Sequence, residues 1–404
     1  MQKVELLAPA GNFSKLKTAI HFGADAVYLG GKNFSLRSFA DNFTREELAE
    51  AVAYAHARGV KVYVTVNIFA KDADFAEAAD YFRYLQQIGV DAALVTDPGL
   101  FTLAREVAPN LTLHISTQSN TLNSRTVQFW KSLGAERVVL ARELSIAEIS
   151  AIHTAEPDTE LEAFVHGAMC ISYSGRCLLS NYLTSRDSNR GECVQACRFR
   201  YEMKEKESGI PLEIEEDERG AYILNSKDLN LIRHLDKLMQ AGVCSFKIEG
   251  RMKSEYYLAT VVSAYRKAID FFAAGGTVLP EEIATAPEKT AHREFTTAYS
   301  LGANDNTVNY TDSSSRGTAT FIAQVLSGGA TPTVEMRNRF QTGEVLEVLS
   351  ANPAADGKTF VVPVMTDEEG GEVTDAKRVQ QKLTLTLPFA VEEGDILRRA
   401  DKNA

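Results

Sequence analysis

The chain has little cysteine and places it unevenly. Of five cysteines in 404 residues, Cys170, Cys177, Cys193 and Cys197 share one window, and Cys244 stands apart. Several absences narrow what the window can be. No apolar run is long enough to cross a bilayer as a helix. The opening Met1-Gln-Lys-Val-Glu-Leu-Leu7 carries no basic n-region, apolar h-region or cleavage site, so a cytoplasmic protein is expected. There, thiols stay reduced, and clustered cysteines serve metals or catalysis rather than disulfides. No His-Glu-x-x-His helix, Gly-x-Ser-x-Gly elbow or Gly-x-x-x-x-Gly-Lys-Ser/Thr loop occurs, which argues against zinc-protease, serine-hydrolase and P-loop chemistry. Excess positive charge is missing too. The net charge of −11 speaks against a surface coated for nucleic acid but leaves room for a local basic patch.

The cysteine window runs from Glu162 to Cys197 with the spacing Cys-x6-Cys-x15-Cys-x3-Cys. Gly, Ser, Asn and Arg separate the thiols, unlike the scattered placement of core cysteines. The first pair is too open for a zinc knuckle. Iron–sulfur clusters accept looser spacing, because four thiolates need only reach the corners of a larger body. An iron–sulfur cluster is therefore expected, with zinc and a metal-free site as alternatives.

Around the window the chain repeats itself. Phe22-Gly-Ala-Asp, Arg58-Gly-Val-Lys, Ile88-Gly-Val-Asp, Leu133-Gly-Ala-Glu and Ala241-Gly-Val-Cys each join a helix end to an apolar run. A glycine just past a helix closes it in the left-handed conformation. The near-continuous apolar runs suit strands covered on both faces. Strands are expected at Val4–Ala8, Ala26–Leu29, Val60–Val66, Ala92–Val95, Leu111–Ile115, Arg137–Leu140, Leu161–Val165 and Ser245–Ile248. The fold class is thus α/β: a TIM-like (β/α)8 barrel over residues 1–280, with an elaborated, cysteine-bearing connection after the seventh strand. From about residue 281 to 404, short alternating runs between turn residues predict a small all-β barrel domain.

In such a barrel, chemistry sits at the C-terminal ends of the strands. Asn67, Gln118, Arg142, His166 and the stretch Glu249 to Arg251 fall there. His166 is a candidate base or ligand, against a histidine that only hydrogen-bonds its loop. Arg176 could donate to cluster sulfurs or bind an anion, against a surface charge. Arg142, Lys247, Glu249 and Arg251 read as a substrate clamp, with structural ion pairs as the rival. Asn225 or Ser226 reads as the cap of a helix over 229–239, with Lys227 or Asp228 as possible additions to the site. Arg186, Arg190, Arg198 and Arg200 form the one dense basic cluster.

Glu162-x-Phe164-x-x-Gly167-Ala168-Met169-Cys170, followed by Gly175-x-Cys177-x-Leu179-Ser180, resembles the signature of the collagenase-like peptidase family, whose mechanism is unassigned. Leu6-Leu-Ala-Pro-Ala-Gly11, Gly23-Ala-Asp-Ala-Val-Tyr-Leu-Gly30, Asn225-Ser-Lys-Asp-Leu229 and Lys247-Ile-Glu-Gly-Arg251 resemble its other blocks. The family name implies peptide hydrolysis. Several members are instead RNA or quinone hydroxylation proteins with a four-iron cluster, and some work in pairs with a shorter paralogue. The resemblance is strongest to the branch that forms 5-hydroxyuridine at the tRNA wobble position with prephenate as a required metabolite. It implies that Cys170, Cys177, Cys193 and Cys197 hold a 4Fe-4S cluster. It further implies tRNA and prephenate, or a related small carboxylate, as ligands. His166, Arg176, Glu249 and Arg251 are then the catalytic candidates, and Arg142, Asn225, Lys227 and Lys247 those for substrate binding.

Overall fold

The computed structural model describes residues 4–36, 41–173, 176–198, 226–302, 307 and 315–400. The first half alternates strand and helix: β1 (Glu5–Pro9), α1 (Phe13–His21), β2 (Ala26–Gly30), α2 (Arg45–His56), β3 (Lys61–Val66), α3 (Phe75–Gln87), β4 (Ala92–Val95) and α4 (Pro98–Val107). It continues with β5 (Leu113–Ile115), α5 (Ser124–Ser132), β6 (Arg137–Val139), α6 (Ile146–Ala155) and β7 (Glu160–Ala168). After the cysteine loop, which holds α7 (Leu179–Thr184), come β8 (Asp228–Asn230), α8 (Leu235–Gln240), β9 (Val243–Ile248) and α9 (Glu255–Ala273).

β1 to β7 pair in sequence order, all parallel, and β9 joins β7 to β1, closing an eight-stranded parallel barrel. The apolar runs explain the closure, since β2 and β4 are buried along their whole length. Helix starts are specified locally: Thr44 with Glu47, and Ser145 with Glu148, form capping boxes. The repeated glycines Gly23, Gly59, Gly89, Gly134 and Gly242 all have positive φ, as the helix-closing role requires.

One expectation fails. The helix predicted over 229–239 starts only at Leu235, and Asp228–Asn230 form β8, antiparallel to the end of β7. The Asp228 carboxylate accepts bonds from Arg293 Nε at 3.0 Å and Nη2 at 2.6 Å, with both side chains buried. That partner is remote in sequence, so a local capping pattern could not reveal it. Of the two candidate caps, Ser226 is buried just before β8 and Asn225 lies outside the described residues.

Residues beyond 280 still serve the barrel. The strand Phe295–Thr296 pairs with β8, and Ala284 and Ala298 belong to the barrel's core. A second core forms around Ile322, Val334, Phe340, Leu346, Met365 and Leu397. It lies under an eight-stranded antiparallel sheet that starts at Ala319–Ser327. The two units meet where Phe321 stacks on Tyr256 of α9 at 5.4 Å and Glu347 takes Lys289 and Arg398. Among the described residues no helix is long and apolar enough to cross a membrane.

Candidate functional site

The strand ends and the cysteine loop enclose a cavity of about 390 Å³. β7 delivers the loop. Gly167 has φ +108°, and a Cβ there would run into the carbonyl oxygen of Glu249, so glycine lets β7 and the end of β9 lie side by side. The loop is then tied down across the barrel mouth. Arg176 Nε donates to the Gln118 carbonyl at 3.3 Å. Arg190 donates to the Phe69 carbonyl at 2.8 Å and grips both oxygens of Asp74 at 2.8 and 3.0 Å. Within the loop, Asn189 both donates to the Cys177 carbonyl and accepts from the Cys177 amide.

Cys170, Cys177, Cys193 and Cys197 all line this cavity, and none is in a disulfide. Burial pushes the Cys197 thiol up; Arg198 opposes this, and the other three thiols reinforce it. Backbone amides of Leu179 and Gln195 donate to the sulfurs of Cys177 and Cys193, both at 3.4 Å. Such N–H to sulfur bonds stabilise thiolates and tune iron–sulfur centres. Among the described residues no three His, Cys, Asp or Glu side chains gather closely enough to hold a single ion. Four thiols around one shared space, with amide donors on two of their sulfurs, are a donor set that fits an iron–sulfur cluster.

The charged candidates separate into two groups. Arg142, Lys247, Glu249 and Arg251 reach the cavity. Arg142 donates to the Ala168 carbonyl at 2.7 Å and lies over the Phe164 ring at 4.1 Å, while its Nε is buried without a hydrogen-bond partner. Lys247 is buried, bonded to Glu162 at 2.7 Å and set 4.5 Å from the Tyr28 ring. Burial lowers its pKa, and the Glu162 carboxylate opposes that. Glu162 also meets Arg137, which bonds Glu5 at 2.6 Å, so an ion network fills the barrel beneath the cavity. Glu249 accepts from the Tyr28 hydroxyl at 3.3 Å. Arg251 is buried and held by Ser35 at 2.7 Å, Thr65 at 3.3 Å and the Asn42 amide oxygen.

His166, Arg176 and Lys227 do not line the cavity. The His166 ring is buried among Tyr257, Tyr265 and Phe295, with Nδ1 3.2 Å from the Tyr265 hydroxyl. Burial drives its pKa down to about 3, so the ring is neutral near pH 7 and lies apart from the cavity. Arg176 is the loop tether described above. Lys227 bonds Glu294 at 2.5 Å. The basic cluster also disperses: Arg190 is spent on Asp74, Arg198 turns into the cavity wall, Arg186 is exposed, and Arg200 lies outside the described residues.

Sequence reasoning did not single out Lys253 or the neutral wall. Lys253 lines the cavity, and burial lowers its pKa against the pull of Asp228. Thr65, Asn67, Ser116, Thr117 and Gln118 supply the cavity's uncharged side. Asn67 and Gln118 are legible as strand-end residues, but their joint orientation is not.

Fold and site together define a TIM-like barrel whose mouth carries a four-thiol centre, with an antiparallel β domain appended. The chain belongs to peptidase family U32: the model of that family matches residues 11–310, and that of its C-terminal domain matches residues 318–398. The tRNA hydroxylation protein P1 of Bacillus subtilis (strain 168) is 41% identical over 98% of this chain and 95% of its own length. A 23S rRNA 5-hydroxycytidine synthase of Escherichia coli (strain K12) is 40% identical over 66% of this chain and 39% of its own. A collagenase of Porphyromonas gingivalis (strain ATCC BAA-308 / W83) is 37% identical over 74% and 73%.

Proposed function

We propose that this chain is an iron–sulfur tRNA-modifying enzyme that converts the wobble uridine to 5-hydroxyuridine, with prephenate or a related small carboxylate as a second ligand. The observation that carries the reading is the set of four reduced thiols lining one cavity, among cations from several strand ends. Cys170, Cys177, Cys193 and Cys197 would hold a 4Fe-4S cluster, which supplies redox chemistry. Replacing C5–H by C5–OH is a two-electron oxidation, so a redox centre is the part such a reaction needs. Arg142, Arg198 and Lys253 would attract the carboxylate, Arg142 being fixed by Ala168 and Phe164. Glu249 and Arg251 would order the β9 side of the pocket. The names of two relatives, one acting on tRNA and one on rRNA, support an RNA base as substrate.

The deciding experiment pairs two measurements. Protein purified without oxygen is assayed for iron and sulfide, and bulk tRNA from a strain lacking the gene is analysed for 5-hydroxyuridine. Bound iron with sulfide, and loss of the nucleoside that returns on complementation, are expected. An iron-free protein containing zinc, or unchanged tRNA, overturns the reading. The collagenase relative keeps peptide hydrolysis as the rival, and a role as the scaffold for a shorter paralogue is a further alternative.

A further inference from the structure

The neutral side of the cavity is wired in one direction. The Leu36 amide donates to Asn67 Oδ1 at 3.2 Å, which fixes the Asn67 side chain by a backbone group that can only donate. Asn67 Nδ2 must then face outward, and it donates to Gln118 Oε1 at 2.8 Å. The Ser116 and Thr96 hydroxyls add to the same oxygen at 3.1 and 3.3 Å. Gln118 Oε1 is thereby filled, and the amide cannot flip without setting Nε2 against Asn67 Nδ2. Gln118 is 6% exposed and lines the cavity, yet Nε2 has no hydrogen-bond partner among the described residues. An amide with a saturated oxygen and unused N–H groups at the wall of a confined cavity is a donor awaiting an acceptor.

We infer that Gln118 Nε2 is a carbonyl-reading subsite that takes O4 of a uracil ring and rejects cytosine. The inference rests on the uridine reading above and adds the residue that selects the base. Uracil offers a carbonyl acceptor at position 4, where cytosine offers an amino donor. Facing Gln118 Nε2, the amino group meets donors with donors, and both are left unsatisfied in a confined space. Asn67, Ser116 and Thr96 act through Gln118 as positioning residues.

The test uses the full chain and two anticodon stem-loop RNAs that differ only in uridine or cytidine at the wobble position. Binding is followed by fluorescence anisotropy for the wild type, Gln118→Glu and Gln118→Met. The wild type is expected to favour the uridine RNA by at least about tenfold. Gln118→Glu should erase or reverse the preference by offering an acceptor, and Gln118→Met should flatten it. Equal binding of the two RNAs by wild type, or an intact preference in both variants, overturns the subsite. So does loss of iron in both variants, which would make Gln118 a structural support. Nucleoside analysis judges the reaction separately. Preference without 5-hydroxyuridine in cellular tRNA sinks the reaction and spares the subsite; 5-hydroxyuridine at wild-type level in Gln118→Glu does the opposite.

Discussion

Arg251 shows how much one side chain can be asked to do. Its guanidinium spreads over Ser35, Thr65 and Asn42, which come from the segments after β2 and from β3, while its backbone follows β9. A planar fork meets oxygens spread around it in a fixed geometry, which the three donors of a compact lysine ammonium on a flexible stem do not reproduce. Arg251→Lys is expected to retain bound iron, cost about 1–3 kcal/mol of stability, and lower 5-hydroxyuridine in a complemented strain at least about tenfold. Wild-type nucleoside levels would remove Arg251 from the site. His166 carries a different consequence. Its folded pKa of about 3 lies below the ordinary 6.5, so its stabilising contribution is complete above pH 6.5 and is lost as pH falls toward 3. By pH 5 the loss from this group reaches about 2 kcal/mol. Denaturant midpoints between pH 7 and pH 5 measure it, and His166→Gln should make that dependence shallower. An identical pH slope in the variant would show that the ring titrates freely.

At the scale of elements, the cysteine loop depends on contacts made far from the thiols. Arg190 fastens it to Asp74 at the start of α3, and Arg176 fastens it to the segment after β5. The thiols of this loop are proposed to bind as one set, so losing any member should release most of the iron. Cys170→Ala, Cys177→Ala, Cys193→Ala and Cys197→Ala are each expected to lose it. Cys244→Ala should keep it, because Cys244 sits at the start of β9 with its thiol on the Leu161 carbonyl. Iron and sulfide assays on oxygen-free protein decide the matter, and full iron in one of the first four variants would strike that residue from the ligand set.

For the whole molecule, the question is whether the barrel mouth hydrolyses peptides or modifies a base. Among the described residues, His166, the histidine near Cys170 in sequence, is buried and does not line the cavity, so it is not paired there with a cavity thiol. Pure protein is therefore expected to leave gelatin and casein uncut. Cleavage that follows the protein through purification and vanishes in Cys170→Ala would reverse the functional reading. The β domain is joined to the barrel through α9, by the Tyr256–Phe321 stack and the Lys267–Asp356 pair. His21 of α1 adds a bond to the buried Asp395.

The barrel and the grouping of four cysteines in one window are legible from the residues alone. Apolar runs, helix-closing glycines and thiol spacing are local or periodic patterns, and each states its structural role within a few residues of itself. Arg142, Lys247, Glu249 and Arg251 were legible as strand-end residues for the same reason. What those positions face depends on contacts that exist only once the barrel has closed. The antiparallel β8 in place of a helix turns on Arg293, and the neutrality of His166 turns on Tyr257, Tyr265 and Phe295. Gln118 acquires a direction through a chain of bonds from the Leu36 amide. Burial and hydrogen-bond direction are set by groups dozens of residues away that only the closed barrel brings into contact.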